Sequence, residues 1–328
     1  MPAGLALAVA AAAVLVMGFA IQRGATCTVA AVDEWVDRRG TARLRAMLEA
    51  SVWVAGGLAL ASLLGVLPAA PRPYATSAAT VLGGVLLGLG AWLGGACVFG
   101  AIARFGNGEW AYAATPAGFF AGCATIGLAG LAGLSPAARL DRVSPLLQAP
   151  WAVALPFLAF ALWRTVPGAV RLLRGRGNLR EAAVRGWTPH AATAVIGLTF
   201  LVALLAAGGT WAYTDVLAEF ARGMAAGVPA RLALFGCLLA GAVVGGRLAD
   251  RYRPKRATAA GLLRCFAGGV LMGWGSLLIP GANDGLILVG MPLLWPYAWL
   301  AFAAMCVSIA AAMHLARRCR ELPAGASR

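Results

Sequence analysis

Charged residues are scarce in this sequence, which has only 12 Asp and Glu and 27 Lys and Arg among its 328 residues. They make up 12% of the chain, against 61% hydrophobic residues, whereas soluble domains have about 25% charged residues. The mean hydropathy of +0.81 reflects the same imbalance. These values exclude an ordinary soluble domain and predict an integral membrane protein. Because the apolar runs are long enough to cross a bilayer as helices, we expect an all-α bundle rather than a β-barrel.

The sequence also lacks the residue patterns of most catalytic and metal sites. None of its seven cysteines belongs to a CxxC pair and it has only two histidines, so neither a zinc site nor a disulfide framework is indicated. No nucleophile–base pair, phosphate-binding loop or ATP-binding segment is recognisable. We therefore expect a protein that is not an enzyme and needs no metal or cofactor.

The net charge of +15 would suit a nucleic-acid partner, but the Lys and Arg residues fall in short gaps between apolar runs. This distribution is typical of the cytoplasmic loops of membrane proteins, where anionic lipid is the secondary partner. The expected surroundings are a lipid bilayer, with no nucleic acid.

Nine apolar segments are long enough to be membrane spans: 3–22, 46–67, 75–93, 109–133, 149–165, 190–208, 229–249, 258–278 and 293–316. An odd number of spans puts the termini on opposite sides, and the loops richest in Lys and Arg predict an N-terminus outside and a cytoplasmic C-terminus. No charge precedes Arg23, so the first segment is interpreted as a permanent helix rather than a cleaved signal.

Four further segments are too apolar for loops and too short to cross the membrane: 24–37, 94–107, 210–222 and 279–291. Irregular backbone at membrane depth is tolerated where it is buried in protein or lines a cavity. These segments are therefore predicted to be short re-entrant helices.

The stretch 83–112 recurs later in the chain as 268–297, with identities at eleven of thirty positions. We call the offset in residue number that aligns residue 83 with residue 268 the repeat shift. In the nine-span topology the two copies enter from opposite sides, so we predict two inverted halves, 1–150 and 190–328, joined by span five and a basic cytoplasmic linker within 151–189. Inverted repeats with interrupted helices are a recurring architecture of transporters, with the binding site where the breaks converge. The alternative is a duplication retained for packing, with the breaks as simple kinks.

Two cysteines follow glycine-containing turns at the predicted starts of short helices, Cys27 in QRGATC and Cys97 in GGACVFG. A helix N-terminus favours anions and lowers the pKa of a thiol. Two inward-facing thiols would suit a soft, sulfur-bearing anion. Taken singly, each cysteine is better explained as a small residue tolerated at a crowded turn, but the paired placement favours the functional interpretation. The candidate path residues of this half are Gln22, Arg23, Cys27, Gly95, Cys97 and Gly100.

The motifs QRGATC and LGLGAWLGGACVFG, the latter followed by a Gly-Asn-Gly turn, resemble the YeeE/YedE family of bacterial inner-membrane proteins over nearly the whole chain. The resemblance implies nine spans, inverted halves, short re-entrant helices and uptake of thiosulfate, which is passed between cysteine thiols through hydrogen bonds to sulfur. By motif match, Cys27 and Cys97 would hold two of those thiol positions.

The sequence departs from this pattern in its second half. Family members that move thiosulfate typically have a Gly-Gly-Cys turn there too, but this chain has Ala282 at that position, within Gly281-Ala282-Asn283-Asp284. A carboxylate within a membrane is a functional-site candidate, able to repel an anion, bind a proton or attract a cation. The alternative is a shallow break in which Asn283 and Asp284 are wet and cap a short helix.

The favoured hypothesis is a transporter for a small thiosulfate-like anion that passes along inward-facing cysteine thiols. A second hypothesis is a membrane thiol-redox or sulfur-relay component that works with a cytoplasmic sulfur-carrier protein. A third is a proton- or cation-coupled carrier of a small solute, centred on Asp284. Cys123 is predicted to be core packing, and His190 and His314 are predicted to stand alone at the edges of spans, with no partner for metal binding.

Overall fold

The computed structural model of the chain describes residues 2–67, 73–126, 128, 138–173, 187–209, 211–224 and 227–321. Within these ranges every regular element is a helix. The helices of the first half are α1 (Ala3–Gly24), α2 (Thr28–Arg38), α3 (Ala42–Leu63), α4 (Ala78–Gly94), α5 (Val98–Gly106), α6 (Ala114–Thr125), α7 (Pro145–Gln148) and α8 (Pro150–Leu173). Those of the second half are α9 (Pro189–Ala207), α10 (Tyr213–Ala221), α11 (Val228–Leu248), α12 (Ala259–Leu278), α13 (Asn283–Gly285) and α14 (Pro296–Glu321). A 3₁₀ turn, Trp110–Ala113, precedes α6, and a π-helical turn, Leu286–Gly290, extends α13.

In the described part of the chain, seven helical stretches are long and apolar enough to cross a membrane. Two of them, Ala3–Arg38 and Ala78–Gly106, include the short helix that follows the break. The chain is therefore an all-α integral membrane protein, as predicted. The count of nine stays a prediction: α6 and α8, which coincide with the other two expected spans, are not among the seven. The end of segment 109–133 and linker residues 174–186 lie outside the described residues.

Glycines let α4 and α12 pack with their backbones in contact. A Cβ at Gly90 would lie 2.5 Å from the carbonyl oxygen of Gly268, and one at Gly275 would lie 2.6 Å from that of Gly83. On its other side α12 touches α6, where a Cβ at Gly273 would lie 2.4 Å from the oxygen of Phe119. Close approach through small residues is a common basis of helix association in membranes, because lipid supplies no hydrophobic force between helices.

The helices of the second half follow the order of those in the first, displaced by the repeat shift. Residues 28 and 98 begin two short helices, and their counterparts 213 and 283 begin two others. The helix contacts are also repeated. The contact of α1 with α11 corresponds to that of α9 with α3, and the contact of α6 with α12 corresponds to that of α14 with α4.

Each of the four expected short segments contains a short helix that follows a break, which lies inside the segment in three cases and just before it, at Gly208, in the fourth. Left-handed backbone reverses the chain at Ala25 (φ 46°), Gly95 (φ 75°), Gly208 (φ 72°) and Gly281 (φ 143°). Such backbone favours glycine, and three of the four positions are glycines. The breaks turn four helix starts toward the centre of the molecule.

Candidate functional site

The four short helices begin close together at the buried centre, with first residues Thr28, Val98, Tyr213 and Asn283. Nδ2 of Asn283 donates a 3.3 Å hydrogen bond to Oγ1 of Thr28, and the hydroxyl of Tyr213 donates one of 3.0 Å to the carbonyl of Val98. All four residues are buried. Three of these helices have nine or eleven residues, so their free N–H groups and dipoles make the centre electropositive.

The residues immediately before these helices are Cys27, Cys97, Ala212 and Ala282, and all four have extended backbone. The repeat shift relates Cys27 to Ala212 and Cys97 to Ala282. The centre therefore has four equivalent positions, of which the first half fills two with thiols and the second half fills two with methyl groups.

The thiols of Cys27 and Cys97 are hydrogen-bonded to each other. Both cysteines are buried and unbridged by a disulfide. Sγ of Cys97 also accepts a 3.2 Å hydrogen bond from the backbone N–H of Thr28, the first residue of the facing helix, and one from the N–H of Gly100 on its own helix. Two polarisable sulfur atoms therefore lie at two helix N-termini, where an anion would be received.

Gly100 leaves the room that the Cys27 thiol occupies. A Cβ at Gly100 would lie 2.5 Å from Sγ of Cys27 and 3.0 Å from its Cβ. Gly95 has a different role, since it ends α4 in left-handed backbone and a Cβ there would lie 3.3 Å from the hydroxyl of Tyr112. Of the two candidate glycines, Gly100 adjoins the thiols and Gly95 shapes the turn before them.

Gln22 and Arg23 lie in the last turn of α1, before the break. Nε2 of Gln22 donates a 2.8 Å hydrogen bond to Oδ1 of Asn107, just beyond α5. Arg23 is 1% exposed, and its guanidinium lies 4.9 Å from the ring centroid of Phe19. Gln22 thus connects the end of α1 to the end of α5, while Arg23 packs against a ring of its own helix.

In the second half, Asn283 and Asp284 are buried, with exposures of 0% and 3%, so a shallow, wet break is not what the structure shows. Oγ1 of Thr214 donates a 2.7 Å hydrogen bond to Oδ1 of Asp284, which also accepts one of 3.0 Å from the N–H of Gly285. Asn283 reaches across to the first half through Thr28, and Gly281 forms the turn before Ala282.

A cavity of about 530 Å³ leads from the surface to Ala282; we call it the Arg139 cavity. Exposed Arg139 and Arg222 line its mouth, and buried Ala282 and Trp295 line its deep end. Nε of Arg139 donates a 3.2 Å hydrogen bond to the hydroxyl of Tyr74, whose ring the guanidinium covers at 5.7 Å. Water and small solutes can thus approach the second-half break from this side.

Asp215 also lines the Arg139 cavity, on α10 and outside the seven candidate spans. The pKa of its carboxyl is raised to about 7 by burial and, to a lesser extent, by the nearby carboxylates of Asp284 and Glu219, against the opposing effect of Arg231 and Arg222. Burial likewise raises the pKa of Asp284. The second-half break therefore holds two carboxyl groups that bind protons more readily than exposed ones.

Sequence reasoning missed Thr28 and Thr214, whose hydroxyl groups bond to Asn283 and Asp284 of α13, and Asp215, which lines the Arg139 cavity. The repeat shift, applied to Cys27, would have identified Ala212 and thus Thr214 and Asp215 beside it. Cys123 is buried as predicted, with its thiol 3.7 Å from the carbonyl of Gly273. His190 does not stand alone at the edge of its span, because it contacts Glu49; that it lacks a partner for metal binding stays a prediction.

His190 belongs to a charged cluster that joins three helices. Its Nδ1 lies 2.5 Å from Oε2 of Glu49, and Nε of Arg164 donates a 2.9 Å hydrogen bond to the other carboxylate oxygen. Nε1 of Trp53 approaches the same oxygen at 3.4 Å. The cluster connects α3, α8 and α9.

Helices that cross a membrane, interrupted at a common buried centre, define this chain as a multi-pass membrane protein of the transport class. Its sequence matches the model of the sulphur transport family over residues 23–311. The chain belongs to that family, the YeeE/YedE sulphur transport family, as the resemblance implied. Among curated proteins no sequence matches it. The matched residues include both thiols and all four breaks.

Proposed function

We propose that the chain carries a small sulfur-containing anion of the thiosulfate type across the bacterial inner membrane, by way of the Cys27 and Cys97 thiols. One observation carries the proposal: the two thiols are hydrogen-bonded to each other at facing helix N-termini. Membership of a sulphur transport family supports the substrate class.

Passage would proceed by exchange of hydrogen bonds. A thiol is a weak donor, but a soft anionic sulfur is a polarisable acceptor, and the site excludes the water that would compete for it. The N–H groups of Thr28 and Gly100, which now donate to Sγ of Cys97, compensate for the hydration that the anion loses. Because the thiols contact each other, the anion can pass from one to the other without becoming free. The solute leaves chemically unchanged, so the protein acts without catalysis, metal or cofactor.

The two halves would have inverted topology, with the short helices as re-entrant elements. The common order of elements and the matching packing of α1 on α11 and of α9 on α3 support this arrangement. The distribution of Lys and Arg supports an outer N-terminus and a cytoplasmic C-terminus. In that orientation the Arg139 cavity opens outside the cell, and a cytoplasmic sulfur-carrier protein would receive the solute.

The test is uptake of radiolabelled thiosulfate into sulfur-starved cells that lack their own carriers. We expect the native chain to support uptake and Cys97→Ala to lose it. Cys319→Ala, which changes an exposed cysteine far from the centre, is the matched control and should transport normally at equal expression. Uptake that is unchanged in both Cys27→Ala and Cys97→Ala would disprove the thiol path.

The direct contact of the two thiols also favours a second candidate, a sulfur relay in which Cys27 and Cys97 accept sulfane sulfur or form a transient disulfide with a cytoplasmic partner. Uptake by purified protein in liposomes, with no redox partner present, would exclude this candidate. Trapping of a mixed disulfide at Cys27 or Cys97 would support it. A carrier centred on Asp284 and coupled to protons or cations is a third candidate, for which Asp284→Asn should abolish the pH dependence of uptake.

A further inference from the structure

The Arg139 cavity carries charges of both signs, which a path for a simple dianion does not require. Arg139 and Arg222 contribute guanidinium groups, and Asp215 and Glu219 contribute carboxylates. Glu219 forms an ion pair with Arg231 on the neighbouring helix. Of these two carboxyl groups, that of Asp215 is therefore the one available to interact with a solute in the cavity.

The surroundings of Asp215 favour an added positive charge. Asp284 on α13 and Glu219 on α10 act on it with the same sign as its own charge, while Arg222 and Arg231 oppose them. The raised pKa shows that burial and the negative neighbours prevail. A cationic group of a solute would offset this excess of negative charge around Asp215, as a bound proton does.

The cavity wall adds aromatic rings, one of which belongs to a buried tryptophan. The rings of Tyr74 and Tyr297 meet edge to face at 5.6 Å, and Trp295 stacks on Tyr297 at 5.9 Å. Aromatic faces attract ammonium groups. Trp295 is 3% exposed, and among the described residues its indole N–H has no hydrogen-bond partner.

The size of the cavity agrees with an organic solute. A volume of about 530 Å³ falls within the range of roughly 300–1,000 Å³ that is typical of sites for organic ligands. At the deep end the thiol position of the second half is the methyl group of Ala282. The cavity therefore has groups that can contact positive and negative charges, and its deep end is apolar.

We propose that the Arg139 cavity selects a zwitterionic organic sulfur oxyanion, a thiosulfonate-type group R–SO₂–S⁻ whose organic part carries an ammonium. This inference rests on the proposed function and narrows its substrate class. Asp215 receives the ammonium beside the aromatic wall, and Arg139 and Arg222 receive the sulfonyl oxygens. The terminal sulfur, which such solutes share with thiosulfate, lies at Ala282 and leads to the thiols. Binding makes and breaks no covalent bond.

Three probes separate the contributions: 2-aminoethanethiosulfonate, ethanethiosulfonate, which differs from it only in lacking the ammonium, and thiosulfate. Calorimetry on the purified full-length protein gives their affinities. We expect the amino compound to bind native protein at least tenfold more tightly than ethanethiosulfonate. Asp215→Asn should abolish that preference by weakening the amino compound alone. Arg222→Gln should weaken both thiosulfonates and preserve their ratio, and Asp33→Asn on α2, outside the cavity, should change neither.

Equal affinity of native protein for the two thiosulfonates would overturn the inference without any variant. An equal loss for both in Asp215→Asn would also overturn it. In either case, uptake of thiosulfate that depends on Cys97 would leave the proposed function standing. If none of the three probes binds and none is taken up, both the proposed function and the inference fail.

Discussion

Thr214 donates a 2.7 Å hydrogen bond to the carboxylate of Asp284 and so joins the second residues of α10 and α13. The repeat shift relates these two residues to Val29 and Phe99 of the first half, both apolar. The thiols show the opposite distribution, since they occur in the first half where the second has alanines. At the centre, the first half thus supplies the thiols and the second half supplies the carboxylate.

Thr214→Val should destabilise the protein, because it leaves the buried Asp284 carboxyl without this donor. An unsatisfied buried polar group costs about 1–3 kcal/mol, which should lower the thermal midpoint in detergent by several degrees. Combining it with Asp284→Leu removes both partners, so the double variant should lose less than the two single losses added together. An unchanged midpoint in Thr214→Val would show that the bond contributes nothing.

Gly100→Ala should abolish uptake, because its Cβ would lie 2.5 Å from Sγ of Cys27 and displace that thiol. The same change at the equivalent position of the other half is a matched control: nothing lies within 4 Å of a Cβ at Gly285. Parallel uptake assays at equal expression compare the two variants. If both variants transport alike, the position of the Cys27 thiol does not matter.

Stability should depend on pH through Asp215, whose pKa is raised to about 7. The unfolded chain has a value of about 3.9, so between these values the folded state binds more protons and stability falls as pH rises. Asp215→Asn should therefore raise the thermal midpoint relative to native protein at pH 8 and have a smaller effect at pH 5. A difference that is constant from pH 5 to pH 8 would contradict this assignment.

Ala282→Cys should improve thiosulfate uptake by adding a third thiol at the position equivalent to Cys97. Ala282 is fully buried with extended backbone at a helix start, as Cys97 is. We expect KM to fall several-fold. Ala282→Ser, which adds a group of similar size without sulfur, controls for bulk and should not reproduce the effect. If only Ala282→Cys transports thiosulfate, the natural solute is a different one and Asp284 is the place to examine.

Glu49→Gln should destabilise the bundle, because it removes the charge that Arg164 and His190 share between three helices. Half-buried and hydrogen-bonded, this cluster should be worth about 1–3 kcal/mol. The comparison is Glu109→Gln, which breaks the more exposed pair with Arg104 and should cost under about 1 kcal/mol. The thermal midpoints of both variants, measured in the same detergent, test whether Glu49→Gln costs more stability than Glu109→Gln.

The sequence was sufficient to predict an all-α membrane protein and the positions of its breaks, although not the number of spans, because a bilayer requires long apolar runs and a break requires special backbone. Cys27 and Cys97 could be predicted as a pair because each directly follows such a break. Contacts between distant residues could not be derived. Asn283 meets Thr28 from the opposite end of the chain, and His190 meets Glu49 from the other half. The depth of Asp284 was equally hidden, since its neighbours Asn283 and Gly285 are as common in wet turns as in buried ones.

The approach of α4 to α12 at Gly90 and Gly268 involves backbone atoms on both sides. No change of side-chain rotamer can therefore move the two helices apart, and the breaks at Gly95 and Gly281 directly follow them. The distance between those two breaks is therefore set by main-chain contacts and does not depend on which side chains are present. Relatives with other residues at positions 97 and 282 could thus share one limit on solute diameter while differing in which solutes they accept.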